Sequence, residues 1–197
     1  MNFLKIAEGI VVQPLLLDLV RQPDLWDVYD FRSSTPGSPH TAAETILLRC
    51  QPMDRTLADP HESVDFDALK ALPEARRLML AIAAQVGSYR VGRAMITRLY
   101  YPDEILPHSD VGDHQLQYCR FRYWGRYHLV LQSHPAALFR CGEEVVHMAP
   151  GELWYFRNDL EHAVYWDLAH YTIREGLPPR IHLIVDCHTA NELEQEA

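Results

Sequence analysis

The second half of the chain consists of short segments in which apolar and polar residues alternate, separated at close intervals by proline and glycine. Alternation with a period of two residues is the pattern of a half-buried β-strand, and clustered turn residues mark strand ends. The segments that follow this pattern are residues 94–101, 126–132, 138–141, 144–148, 152–156, 162–166 and 180–186. So many short strands in succession predict a jelly-roll or cupin-like barrel.

The first half has a different periodicity. Residues 1–90 are predicted to form a helical N-terminal lead-in that packs on the barrel of residues 91–190, the two together making one globular domain. A first helix is expected at residues 14–20, and a stronger one at 65–87 with an interruption at an internal proline. Residues 33–39 are rich in serine, proline and glycine and form a loop, either a plain connector or one wall of a pocket.

Two of the predicted strands carry the same polar pattern. Arg126 and His128 alternate on one strand, and Arg180 and His182 alternate on another. Because side chains two residues apart on a strand share a face, each pair projects to a single side of its strand. One such pair is easily explained by a solvated outer face, whereas two pairs in one barrel favour the lining of a pocket.

The composition of the chain argues against nucleic acids and membranes as partners. The chain has 18 basic and 27 acidic residues, a formal net charge of −9, and no basic run, which argues against a nucleic-acid-binding surface. No segment approaches the roughly 18 apolar residues that a membrane span requires, so no membrane association is expected. Four cysteines, at positions 50, 119, 141 and 187, are scattered without a CxxC pair and are interpreted as reduced thiols of a cytoplasmic protein.

A histidine and a carboxylate lie two positions apart at the end of an extended segment, as His108 and Asp110, and His162 follows in a distant strand. Two histidines and one carboxylate are the ligands of the facial triad that binds iron(II) and leaves positions open. Asp113 could replace Asp110 if the loop bends differently, or His108 and Asp110 could be ordinary polar loop residues. Arg180, on a later strand, is suited to bind the far carboxylate of a 2-oxoglutarate cosubstrate.

A resemblance to a known family rests on motifs that occur in family order between residues 93 and 188. The motifs are Thr97–Pro102, Pro107-His108, Arg126–Leu131, Phe139–Cys141, Pro150–Phe156, Glu161–Val164 and Arg180–Asp186. They resemble the catalytic domain of the aspartyl/asparaginyl β-hydroxylase family. The turn before Glu161-His162 and the terminal strand at Arg180–Asp186 are the most specific of them.

The resemblance implies a double-stranded β-helix fold and an iron site. His108 and His162 match the two iron-binding histidines of the family. The endoplasmic-reticulum peptide hydroxylase of the family has glycine where this chain has Asp110, whereas the bacterial amino-acid hydroxylases are expected to keep the carboxylate. The present sequence therefore matches the amino-acid hydroxylases at this position.

The resemblance also implies a cosubstrate site. Arg180 matches the arginine that forms a salt bridge with the distal carboxylate of 2-oxoglutarate, and Thr97 stands where a hydroxyl residue supports it. Arg126 and His128 match a strand pair that lines the pocket for the carboxylates of cosubstrate and substrate. Four of these positions therefore belong to one expected pocket.

The function expected from these observations is an Fe(II)- and 2-oxoglutarate-dependent dioxygenase that uses O2 to hydroxylate an amino acid or an aspartyl- or asparaginyl-type side chain. Its partner is then a small molecule or peptide with a carboxylate. The insertions at residues 113–122 and 170–178 would reshape the substrate site. Two alternatives are a cupin-like metalloprotein that needs no cosubstrate and a non-catalytic ligand-sensing barrel. Activity that depends on 2-oxoglutarate would distinguish the dioxygenase from both.

Overall fold

The computed structural model describes residues 1–52, 63–110, 124–172 and 176–188. Asp113, the insertion at 113–122 and the last residues of the chain lie outside the described residues, as does part of the insertion at 170–178. The strands are β1 (Phe3–Ala7), β2 (Glu44–Cys50), β3 (Val64–Asp65), β4 (Val91–Leu99), β5 (Ile105–His108), β6 (Trp124–Gln132), β7 (Ala137–Cys141), β8 (Glu144–His147), β9 (Leu153–Phe156), β10 (His162–Trp166) and β11 (Arg180–His188).

The helices lie in the first half of the chain. They are α1 (Gln13–Arg21), a 3-10 turn (Pro23–Leu25), α2 (Phe31–Ser34), α3 (Asp67–Ala71) and α4 (Pro73–Gln85). Helix α1 confirms the first predicted helix, and α3 and α4 are the two parts of the second. Pro73 separates them because a proline is accommodated in the first turn of a helix but not in its interior.

The strands form two antiparallel sheets. The larger sheet has the order β1-β9-β6-β11-β4-β2-β3, and the smaller sheet has the order β5-β10-β7-β8. From β4 to β11 successive strands alternate between the two sheets, except that β7 and β8 pair with each other in the smaller sheet. Each sheet thus receives four neighbouring strands, which is a double-stranded β-helix. The predicted fold class is confirmed, and all seven predicted strands are present.

The lead-in differs from the expectation of a helical segment because it also contributes strands. Strand β1 pairs with the edge strand β9, with Phe3 opposite Phe156. Strand β2 pairs with β4, with Ile46 opposite Ile96. The sequence of β2 lacks clean alternation because most of its side chains are buried, and periodicity alone does not distinguish such a short apolar run from a helix.

The core lies on both faces of the larger sheet and comprises three clusters of buried apolar residues within the described parts of the chain. On the outer face, Leu129 and Leu183 pack against helices α1 and α4. Between the two sheets, Val130 packs with Phe139 and Phe156. Neighbouring residues of β6 therefore point to opposite faces, as the alternation predicted, and the polar residues that share the face of Val130 point between the sheets.

The helices within the described parts of the chain include none that is both long enough and apolar enough to cross a membrane.

Candidate active site

A pocket between the two sheets brings together all seven side chains that the sequence nominated. Its lining includes Thr97, His108, Asp110, Arg126, His128, His162 and Arg180. They come from both sheets and from the residues that follow β5. The pocket therefore joins the predicted metal site and the predicted cosubstrate site into one cavity.

The two histidines of the triad are neighbours across a strand pair. His108 on β5 lies opposite His162 on β10, and their ring centroids are 4.3 Å apart. Asp110 lies two residues beyond the end of β5, where its backbone N–H donates a hydrogen bond to the carbonyl of Asn158 at 3.0 Å. Its carboxylate oxygens are 3.9 Å from Nε2 of His108 and 3.9 Å from Nε2 of His162.

This arrangement fits a divalent metal ion. One ligand atom from each of His108, Asp110 and His162 lies within 4.8 Å of the others. Nδ1 of His108 is 2.7 Å from the Leu106 carbonyl and Nδ1 of His162 is 2.9 Å from the Leu160 carbonyl. A carbonyl only accepts hydrogen bonds, so Nδ1 carries the proton and Nε2 offers its lone pair to the centre. The buried Nε2 of His108 has no hydrogen-bond partner in the described structure.

The carboxylate of the triad is held by an arginine. Arg126 on β6 donates from Nη1 to Asp110, and from Nε and Nη2 to the two oxygens of Asp186 at 2.8 and 2.9 Å. Arg126 and Asp186 are directly opposite each other on β6 and β11. Burial would raise the pKa of the Asp110 carboxyl, but Arg126 and the neighbouring cationic groups hold it far below its usual range.

At the start of β11 lies a second buried arginine with a different environment. Arg180 is 5% exposed, and its Nη2 lies 3.1 Å from Nδ1 of His182. Its guanidinium stands over the ring of Phe139 at 5.5 Å. No carboxylate of a described residue forms an ion pair with it, and burial lowers the pKa of Arg180 to about 9. A buried cation without a counterion is costly, so this site favours an anionic ligand.

The histidines beside Arg180 are neutral. Nδ1 of His182 is 3.3 Å from Nδ1 of His128, and the Nε2 atoms of both are buried and have no partner among the described residues. Burial, reinforced by the charge of Arg180, holds both pKa values well below their usual range. The two rings therefore add hydrogen-bonding capacity to the pocket without adding positive charge.

Sequence reasoning missed two residues of the pocket wall, Arg32 and His40. They flank residues 33–39, the predicted loop that was either a plain connector or one wall of a pocket, and the structure places both flanking residues at the pocket. The ring of His40 meets the ring of His108 edge-on, with centroids 4.7 Å apart. No local motif singles out these two residues, since only tertiary packing brings them to the triad.

Comparison with known families gives one match. A family model described as aspartyl/asparaginyl β-hydroxylase matches residues 56–189, which include every residue of the pocket that the sequence predicted. Arg32 and His40 lie before the matched region. No curated protein sequence matches the chain.

Solved structures share the fold at low sequence identity. The epimerase SnoN, in complex with Fe3+, alpha ketoglutarate and nogalamycin RO, is 11% identical with a TM-score of 0.58, over 96% of this chain and 79% of that one. A prolyl-4-hydroxylase from Pseudomonas putida is 12% identical with a TM-score of 0.51, over 95% of this chain and 92% of that one. At these identities the similarity concerns the double-stranded β-helix alone.

Proposed function

The chain belongs to the aspartyl/asparaginyl β-hydroxylase family of Fe(II)- and 2-oxoglutarate-dependent oxygenases, and from this premise we propose a role for each residue of its pocket. His108, Asp110 and His162 hold Fe(II), and the reaction is the hydroxylation of an amino acid or of an aspartyl- or asparaginyl-type side chain. The overall reaction consumes 2-oxoglutarate and O2. It yields succinate, carbon dioxide and a hydroxylated product, with one oxygen atom in succinate and the other in the new hydroxyl group.

The bound iron supplies the activation of O2 and the oxidation of the substrate C–H bond, and the protein supplies ligands and orientation. Asp110 gives the charged oxygen ligand, and its low pKa keeps it ionised and able to bind metal at neutral pH. The backbone carbonyls of Leu106 and Leu160 fix the tautomers of the two histidines. Neutral imidazole and carboxylate ligands of this kind suit Fe(II).

The observation that carries the proposal is the unpaired, buried guanidinium of Arg180. It lines the same cavity as the triad, and its charge has no counterion among the described residues. A dicarboxylate with one end at the metal satisfies both needs, because its second carboxylate can form charge-assisted hydrogen bonds with Arg180. A metalloprotein without a cosubstrate would leave this buried cation unused.

Three other residues complete the cosubstrate site in this proposal. Thr97 is opposite His182 on the neighbouring strand and offers a hydroxyl close to Arg180 in the fold. His128 offers a neutral ring nitrogen. Arg126 uses three of its nitrogen atoms for Asp110 and Asp186, so it positions a metal ligand and has two N–H donors left for the cosubstrate.

The test is succinate formation by protein that has been loaded anaerobically with Fe(II) and then given 2-oxoglutarate and O2, with and without a panel of free amino acids. We expect succinate to rise with at least one of them, and His162→Ala to abolish it. An Asp110→Ala variant tests the carboxylate ligand. If it retained turnover, the metal would be held by the two histidines alone.

The two alternative functions predict other results. A cupin-like metalloprotein with cosubstrate-independent chemistry, or a ligand-sensing barrel without catalysis, would form no succinate and would not bind 2-oxoglutarate when metal is present. Slow succinate formation without any amino acid would support the cosubstrate site and direct the search to peptides or carrier-bound residues.

A reducing, cytoplasmic compartment is part of the same proposal. Cys50, Cys141 and Cys187 are free thiols in the described structure. Reduced thiols, and an iron site that works as Fe(II), are both favoured in a reducing environment.

A further inference from the structure

Once the proposed function, on which this inference rests, is satisfied, one cation of the pocket remains without a counterion among the described residues. Fe(II) is then balanced by Asp110 and one carboxylate of 2-oxoglutarate, and Arg180 by the other carboxylate. Arg126 is balanced by Asp186. Arg32 also lines the pocket, and no carboxylate of a described residue lies within ion-pair distance of its guanidinium.

The surroundings of Arg32 do not satisfy a charged group. Its Nη1 donates to the thioether sulfur of Met95 at 2.8 Å, and a thioether is only a weak acceptor. Burial, together with the charges of Arg93 and Arg126, lowers the pKa of Arg32 to about 10. The guanidinium is therefore still protonated at neutral pH. Arg32 is partly exposed, so solvent meets part of the need for a counterion, and its position in the pocket favours an anion.

The backbone around Arg32 is held against the metal site. The Ser38 hydroxyl donates to the Arg32 carbonyl, and Leu106 N–H donates to the Pro39 carbonyl at 3.1 Å. Leu106 is two residues before His108, a proposed metal ligand. His40, which follows Pro39, packs its ring on the ring of His108. The segment that carries Arg32 is thus a fixed wall of the pocket beside the proposed metal.

The two unpaired arginines approach the pocket from different places. Arg32 contacts Met95 of β4, whereas Arg180 lies opposite Leu99 of the same strand. Four residues of an extended strand span about 13 Å. Arg32 and Arg180 therefore line the same cavity from different strand positions, and each lacks a counterion among the described residues.

We propose that Arg32 binds a carboxylate of the substrate, and that the substrate is accordingly a carboxylic acid. Two sources of this carboxylate fit: the α-carboxylate of a free amino acid, or the side chain of an aspartyl peptide. Among the described residues, the other arginines that could take this role already have carboxylate partners, since Arg126 bonds to two carboxylates and Arg140 pairs with Glu161. Arg140 is also absent from the lining of the pocket.

The experiment measures binding, independently of turnover, to protein loaded with Mn(II) and 2-oxoglutarate without O2. Calorimetry compares the free L-amino acids with their amides in one arm. The other arm compares a blocked peptide that has an internal aspartate with the same peptide that has asparagine. The variants are Arg32→Met, Arg32→Lys and, as the matched control on the exposed face of α4, Arg77→Met.

We expect at least one acid to bind the wild-type protein at least about tenfold more tightly than its neutral partner. Arg32→Met should raise the Kd of that acid about 10- to 100-fold and remove the difference between acid and neutral partner, while Arg32→Lys keeps part of it. The Kd of 2-oxoglutarate should change by less than about threefold in Arg32→Met. Arg77→Met should behave as wild type.

Three results would overturn the proposal. The first is an Arg32→Met variant that still distinguishes the acid from its neutral partner. The second is an equal loss of 2-oxoglutarate binding in Arg32→Met and Arg180→Met, which would place Arg32 in the cosubstrate site. The third is that no acid in either arm binds the loaded wild-type protein. Failure of the proposed function looks different, because Mn(II)-loaded wild-type protein would then not bind 2-oxoglutarate at all.

Discussion

Two buried arginines, Arg126 and Arg180, stand on neighbouring strands of the larger sheet in opposite electrostatic situations. Their exposures are similar, 8% and 5%. Arg126 bonds to two carboxylates, and although burial alone would lower its pKa, Asp110 and Asp186 raise the pKa above that of an ordinary arginine. Arg180 has a histidine and an aromatic ring as neighbours, and burial lowers its pKa to about 9.

The difference distinguishes a charge that the chain itself neutralises, on Arg126, from a charge that awaits a ligand, on Arg180. The ion pairs of Arg126 are formed within the chain and fix Asp110, so they position a metal ligand before any metal arrives. The charge of Arg180 is desolvated without compensation, which lowers the stability of the ligand-free protein and increases its affinity for an anion. Binding sites commonly carry such a cost in stability.

The largest expected effect is on the folded state of an Arg126→Met variant. Loss of the guanidinium leaves the buried carboxylate of Asp110 without its arginine partner, whereas Asp186 keeps Arg93 at 3.4 Å. Removal of one partner from a buried ion pair costs about 3–5 kcal/mol. The free energy of unfolding of metal-free protein, measured in urea, should fall by this amount. Arg77→Met, on an exposed helix, should change it by less than about 0.5 kcal/mol. A loss below about 1 kcal/mol for Arg126→Met would contradict the comparison.

The second prediction concerns Arg180→Met, which should weaken the binding of 2-oxoglutarate without weakening the fold. Loss of a charge-assisted, buried contact should raise the Kd about 30- to 100-fold, or about 2–3 kcal/mol, in calorimetry with Mn(II)-loaded protein. The ligand-free variant should be as stable as wild type or up to about 1 kcal/mol more stable, because an uncompensated charge is removed. A loss of stability as large as that of Arg126→Met would remove the distinction between the two arginines.

The third prediction uses His128 and His182, which burial and, to a smaller extent, the charge of Arg180 keep neutral. The pKa values of His128 and His182 are lowered in the folded state. At pH values below the unfolded-state pKa of about 6.5 and above the folded-state pKa, the unfolded chain therefore binds more protons than the folded protein. The free energy of unfolding of metal-free protein should therefore be constant above about pH 7 and should decrease as the pH falls below 6.5. Each histidine contributes up to about 1.4 kcal/mol per pH unit.

The measurement is a urea titration at several pH values between about 5 and 8, a window that lies above the ordinary range of carboxylate titration. His182→Asn should reduce the slope by the share of one histidine. Arg180→Met should leave most of the slope in place, because burial is the larger cause of the low pKa values and the charge of Arg180 the smaller one. A slope that His182→Asn does not change would mean that other groups control the acid sensitivity.

The metal triad and the partners of Arg126 show how far the sequence predicts the site. His108, Asp110 and His162 carry chemistry that is visible in a motif, and the structure places them together. The partners of Arg126 are not visible in this way. Its pairing with Asp186 depends on the register of β6 and β11, and its bond to Asp110 depends on the path of the chain after β5. Register is fixed by packing across strands rather than by a local pattern.

The fold shows a similar division. The strands from β4 onwards, with the exception of the short β5, were predicted because turn residues separate alternating segments. Strands β1 and β2 were missed because one is a short edge strand and the other is a nearly continuous apolar run, both of which obtain their conformation from tertiary pairing. Arg32 was missed for the same reason. Its contact with Met95 spans 63 residues of sequence and has no local signature.

The smallest expected effect concerns Thr97, which lines the pocket together with Arg180. Thr97→Val keeps the shape of the side chain and removes its hydroxyl, which lines the pocket opposite His182 on the neighbouring strand. If the hydroxyl supports the far carboxylate of 2-oxoglutarate beside Arg180, the Kd should rise about tenfold, which corresponds to the low end of the range of about 1.5–3 kcal/mol for a hydrogen bond to a charged group. Stability in urea should be unchanged or slightly higher.

Thr45→Val is the matched control, because Thr45 is the partner of Thr97 on β2 and does not line the pocket. An equal effect of the two substitutions on cosubstrate binding would show that the hydroxyl of Thr97 acts through the packing of the sheet and not on the ligand.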